Sequence, residues 1–150
     1  MVQQTSRALA TLYEVDETAW LEATSELVRE SRFDQIDSGT LSEYLADMAR
    51  RDRREVESRL IVLLAHILKW MHQPDRRSGS WKATIIEQRQ ELEGLLGSGV
   101  LWNHAELELA ETYQKAVERA AAETGLPTGT FSESCPFSLE QLLSADVIAD

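Results

Sequence analysis

The stretch Glu55–Trp70, EVESRLIVLLAHILKW, constrains the fold more than any other part of the chain. On a 3.6-residue period Val56, Leu60, Leu63, Leu64, Ile67 and Met71 line one face. Ile61 and Leu68 widen that face, and Val62 and Ala65 leave the opposite side apolar as well. A helix apolar nearly all round needs other helices packed about it, so the stretch predicts the centre of an all-α bundle. One side breaks the pattern: Arg59, His66 and Gln73 follow one another at steps of seven, with Lys69 and Trp70 beside them.

Upstream, Leu41, Tyr44, Leu45 and Met48 fall at i, i+3, i+4 and i+7, and no Gly or Pro separates them from the central stretch. The intervening ARRDRREVE offers the i,i+4 pairs Asp47–Arg51, Arg51–Glu55, Arg53–Glu57 and Glu55–Arg59, which stabilise an exposed helix. Residues 40–72 therefore read as one long helix, or two sharing a bend near Arg50, ended ahead of Pro74. Residues 1–11 are polar and without pattern, which predicts a frayed start. Asp16 reads as the N-cap of a helix to about Arg29. Trp20, Ala23 and Leu27, with Thr24 and Val28, face inward; Glu17, Glu22, Glu26 and Glu30 face out. Asp37 or Ser38 opens the long helix.

Past the turn DRRSGS, Ser78 or Ser80 caps a helix carrying Trp81, Ile85, Gln88, Leu92, Leu95 and Leu96, and Gly97 ends it. Asn103 and Glu106 have capping-box spacing and predict the start of the last long helix. Leu107, Ala110, Tyr113, Val117 and Ala120 are its expected inward stripe, and Gly125 and Pro127 stop it. Phe131 and Phe137 are apolar pegs in the tail. Ser138 and Gln141 form a second capping box over Leu139, Leu142 and Leu143. No segment alternates as a strand would. The expectation is one all-α domain over residues 1–150, a bundle of four to five principal helices around a long central helix at about 40–72.

Charge narrows the function classes. The chain of 150 residues carries a net −11, unevenly spread. Residues 50–90 hold ten Lys/Arg against five Asp/Glu, and the remainder holds five against 21. An acidic surface disfavours nucleic acid, whose affinity comes from neutralising phosphates. The basic centre reads as a partner for the protein's own acidic helices, or as a local site for a small anion. The longest apolar run, interrupted by His66, falls short of the roughly 20 residues a bilayer span needs. No secretory signal pattern opens the chain, and the single cysteine, Cys135, excludes an internal disulfide.

The ordered string Glu57-Ser58-Arg59-Leu60, Leu63-Leu64, His66, Leu68-Lys69-Trp70, Gln73-Pro74, Arg77, Ser80-Trp81, Thr84-Ile85, Gln88-Arg89 resembles the core motif of the bacterial family known as domain of unknown function 29. Leu12-Tyr13-Glu14, Asp16 and Trp20 resemble its opening. Cys135-Pro136-Phe137 with Glu140-Gln141-Leu142-Leu143 resembles its ending. Met71-His72, where an aromatic is commoner, and the Gly97–Val100 turn are small departures. The resemblance implies a cytoplasmic, all-helical protein and carries no activity, because none is established for the family.

The first candidate site joins Arg59, His66, Lys69, Trp70 and Gln73 to Trp81 and Arg89 of the following helix. Antiparallel helices joined by a tight turn bring Trp81 near Trp70 and Lys69. Such a cationic patch between tryptophans suits an anionic or planar ligand, held by guanidinium forks and stacking, with His66 as a proton donor near neutral pH. The competing reading is a structural polar seam, its cations satisfied by Glu57 and by acidic residues of other helices. His104, Glu108 and Glu111 share a helix face, but a bundle metal site needs matching ligands from facing helices, and the face reads as solvated. Cys135 lacks a neighbouring base and reads as a small buried apolar group. No Walker loop, dinucleotide fingerprint, nucleophile elbow or zinc-finger spacing occurs. No catalytic residue, metal or cofactor is therefore expected. The function expected is a non-enzymatic, cytoplasmic interaction or regulatory module acting through a protein partner or self-association, away from membranes. The alternative is a small enzyme or ligand binder using the seven-residue patch.

Overall fold

Where the helices start and stop follows from a few capping and breaking residues. The computed structural model describes residues 2–97 and 99–148, with side chains from Ala8 onward. Its α-helices are α1 Val2–Val15, α2 Glu17–Arg29, α3 Ser38–His72, α4 Gly79–Leu95, α5 Gly99–Thr124 and the single-turn α6 Leu139–Leu142. Short 3-10 turns lie at Phe33–Gln35, Pro74–Arg76, Thr128–Thr130 and Ala145–Ile148. The described residues contain no strand, and none of their helices is long and apolar enough to cross a membrane. The chain divides into two compact units, residues 1–50 and 51–150, and α3 belongs to both.

In the first unit Asp16 caps α2, its carboxylate accepting from the Ala19 N–H at 3.0 Å. Trp20 is fully buried, with Tyr13 edge-on at 4.9 Å and Tyr44 tilted at 5.5 Å. Offset or edge-on ring pairs of this kind add to the area they bury. The expected frayed start is instead helical, and Leu9 is buried. Leu9, Leu12 and Tyr13 stand at i, i+3 and i+4, a stripe too short to register as a pattern but enough to seat α1. Val28 and Leu45, expected inside, are exposed. Asp37 accepts from the Thr40 N–H and hydroxyl, so it is Asp37 that fixes the start of α3.

In the second unit the second half of α3 supplies Val56, Leu60, Leu63, Leu64, Ala65, Ile67 and Leu68 to the core, all but Leu68 with no exposed surface. Ile85, Leu92 and Leu96 of the α4 segment, Ala105, Tyr113, Ala116, Val117 and Ala120 of α5, and Phe131, Leu139 and Leu142 of the tail complete it. Met71, placed on the inner face by its spacing, is exposed at the end of the helix. The Ser78 hydroxyl accepts from the Trp81 N–H and starts α4. Ser138 and Gln141 make the reciprocal capping box expected of them.

Helix α5 differs from the expectation in two ways. It begins at Gly99, a turn before Asn103, and the half-buried Leu101 and Trp102 in that extra turn pack against the core. Its inner face is also rotated. Leu107 and Ala110 point outward, while Ala105, Thr112, Tyr113, Ala116, Val117 and Ala120 are buried. Three of these six buried residues are alanines, which a search for the bulkiest stripe overlooks. Gly125 ends α5 at φ +77°, the left-handed geometry that favours glycine.

Candidate functional site

Lys69 is the centre of the polar seam. It lies one turn before the end of α3 and is buried, 5% exposed. Its Nζ donates to Glu123 Oε2 at 2.6 Å and lies 4.9 Å from the centroid of the Trp81 ring. Glu123 also accepts from Arg119 Nε at 2.9 Å, one turn back on α5. Burial pushes the Glu123 carboxyl up, but the hydrogen bonds from Lys69 and Arg119 outweigh it and leave it below the ordinary range. α3, α4 and α5 thus meet in one charged contact: ammonium, indole and carboxylate.

His66 stands within the field of that contact. Its Nδ1 donates to the Val62 carbonyl one turn back at 2.8 Å, which assigns the ring proton to Nδ1. Burial holds the imidazole below its ordinary pKa, and the Lys69 and Arg119 charges push the same way. The hydrogen bond to Val62 and the Glu123 charge oppose them without prevailing. The ring is therefore neutral at pH 7, with a proton that bonds its own helix.

Arg59, half-buried, is spanned from three sides. It meets Glu55 at 2.9 Å on its own helix, Gln88 Oε1 at 3.2 Å and Glu91 at 3.7 Å on α4. Trp70 takes the guanidinium of Arg77 over its ring at 4.7 Å, and Arg77 Nε donates to the Trp70 carbonyl at 2.9 Å. Gln73 follows the last residue of α3 and lines a shallow cavity of about 210 Å³ with His72, Asp75 and Arg76. Arg89 is half-buried on α4. The fold brings Lys69 to Trp81, and His66 into the field of Lys69. It separates Arg59, engaged with Gln88 and Glu91, and Trp70, stacked with Arg77.

The carboxylate that meets the seam is not the one expected. Glu57 lies 3.4 Å from His104 Nε2, in α5, and not on the basic seam. That approach lacks hydrogen-bond geometry, since His104 Nε2 is buried and has no bonded partner. His104 therefore turns toward α3, although its helix face reads as solvated in sequence. Glu123, which sequence reasoning did not single out, takes the partnership with Lys69. Its only local signal is the i,i+4 spacing from Arg119. Among the described residues no group of three or more His, Cys, Asp and Glu is placed to hold a metal ion.

The tail builds a second feature against α5. Tyr113 OH donates to the Ser132 carbonyl at 2.7 Å and Gln114 Nε2 to the Glu133 carbonyl at 2.9 Å. These bonds pin Ser132 and Glu133 along the helix, beside a cavity of about 360 Å³. Cys135 lines it, half-buried, its thiol donating to the Phe137 carbonyl at 3.3 Å. Burial pushes that thiol's pKa up, and the Phe137 hydrogen bond only partly offsets this, so the thiol is a poor nucleophile at pH 7.

Residues 12–148 match the family model described as Domain of unknown function DUF29. The chain belongs to that family. The match covers nearly its whole length and includes both the seam and the tail. No curated protein and no solved structure matches it.

Proposed function

We propose that this DUF29 protein is a non-enzymatic interaction module of the bacterial cytoplasm, with regulatory use, and that the outer side of α5 is its working surface. The observation that carries the reading is Leu107, an apolar side chain 81% exposed in the middle of a long, well-seated acidic helix. Single exposed leucines are ordinary. This one is followed at i+3 by exposed Ala110 and preceded at i−7 by Val100, 62% exposed, which together make a strip along one side of the helix. The seam supports the same reading from the other direction. Lys69 and Arg59 are engaged by Glu123, Glu55, Gln88 and Glu91, so two of the three permanent cations of the seven-residue patch already have partners in the fold.

A second reading, an anionic or planar ligand held by that patch, draws on its outer end. There Trp70 stacks with Arg77, and Gln73 lines the 210 Å³ cavity beside Arg76. The two readings separate in cells. A photo-crosslinking residue at position 107 is expected to capture a discrete protein, and one at exposed Lys82 on α4 is not. Equal labelling at both positions, or none at 107, would count against the α5 surface.

A further inference from the structure

The strip on α5 leads into the cavity built by the tail. Glu106, Leu109 and Ala110 from the helix, and Glu133, Cys135 and Phe137 from the tail, line that 360 Å³ space. Leu109 and Phe137 are half-buried and give it an apolar floor, while Glu106 and Glu133 are exposed at its sides. The wall is held by the Tyr113 and Gln114 hydrogen bonds to the tail, so the groove belongs to the folded unit. Charge around it is one-sided. Residues 99–148 carry eight carboxylates and two cations. Both cations are engaged nearby, Lys115 with Glu111 at 3.4 Å and Arg119 with Glu123 at 2.9 Å.

We propose that this face docks a basic amphipathic helix of a partner protein. The inference rests on the interaction reading above and names the chemistry of the partner. Val100 and Leu107 are two turns apart, a spacing that meets one apolar face of an incoming helix. A lysine or arginine of that helix enters the cavity, its stem along Leu109 and Phe137 and its charged head between Glu106 and Glu133. A second copy of this chain is the poorer occupant, because a self-complementary contact would bring the same carboxylates opposite one another. Nucleic acid is excluded from the face by the same charge.

Cys135, the chain's single cysteine, lines the groove and reports its occupancy. The test uses the full chain and a synthetic helix with leucine at the core heptad positions and lysine or arginine elsewhere. A matched helix with glutamate in their place is the control. The basic peptide is expected to slow iodoacetamide alkylation of Cys135 roughly tenfold at ten times its Kd, as simple occupancy requires. Glu106→Gln with Glu133→Gln is expected to weaken binding roughly tenfold, whereas Glu17→Gln with Glu22→Gln, exposed carboxylates on α2, leaves it unchanged. Binding without Cys135 protection, equal weakening by both pairs, or equal binding of the glutamate peptide would overturn the proposal. So would a dimer by sedimentation that itself protects Cys135. Capture at position 107 in cells together with unprotected Cys135 refutes the partner class alone; no capture at 107 refutes the interaction reading beneath it.

Discussion

Glu123→Gln tests the seam where it is most buried. The substitution keeps the shape of the side chain and removes its charge, leaving the Lys69 ammonium facing a neutral amide and the Trp81 ring. Breaking a fully buried ion pair from one side costs roughly 3–5 kcal/mol. Glu123 keeps 36% of its side chain accessible, against 7% for Lys69, so water partly screens the contact. Discounted for that screening, the loss is about 1–3 kcal/mol. Adding Lys69→Met removes the second charge and keeps an apolar stem over Trp81. The double variant is expected within about 1 kcal/mol of wild type, because the buried ammonium is gone. Urea melts with unchanged slopes measure both. The wild-type contribution is also pH-dependent. The folded-state pKa of Glu123 is depressed, so its stabilisation is present above the ordinary carboxylate pKa and lost as pH falls through the lower folded value. Glu123→Gln removes that acid limb. A single variant within about 0.5 kcal/mol of wild type, or a double variant as unstable as the two singles summed, would refute the reasoning.

His66, half-buried and neutral, has its pKa lowered, so the unfolded chain takes up a proton first as pH falls below about 6.5 and stability drops with it. His66→Gln is expected to flatten this limb of a urea-midpoint profile, and an unchanged slope would place His66 in solvent. Leu64→Ala, at a position with no exposed surface, is expected to cost about 2–5 kcal/mol in the same assay. Gly125→Ala meets no atom within 4 Å, so its cost is the left-handed backbone alone, about 1 kcal/mol; a variant as stable as wild type would mean the turn relaxes.

The long helix, the caps at Asp16, Ser78 and Ser138, and the break at Pro74 were legible because each is a local signal. A carboxylate or hydroxyl ahead of a free N–H, or a ring that removes one, acts within a few residues. The apolar run at Leu60–Leu68 was legible for a related reason, since nothing but burial on most sides accommodates it. The face of α5 was not. Leu107 outranks Ala105 and Ala116 in apolarity, yet the small residues are the buried ones, and the choice depends on how α5 is rotated about its own axis. The seam was half legible. Arg59, His66 and Lys69 stood out on an apolar helix, and the antiparallel turn placed Trp81 near Lys69. Their carboxylate partners lie as far as 54 residues along the chain, and Glu57 and Glu123 are told apart only by the register of α5. The groove at Cys135 left no sequence signal, because it forms only when Ser132 and Glu133 are pinned against Tyr113 and Gln114.

Lys69 and Arg59 of the basic seam are engaged by the protein's own side chains, and the proposed recognition surface lies elsewhere. Thermal melts of the wild type against inorganic anions, nucleotides and sugar phosphates, alongside Lys69→Met, test this most directly. A ligand present at 100 times its Kd stabilises by about 2.7 kcal/mol, which raises the melting temperature of a chain this size by roughly 5–10 °C. No such shift is expected with any of these ligands. A shift of that size in the wild type that disappears in Lys69→Met would make the seam a ligand site and contradict that expectation.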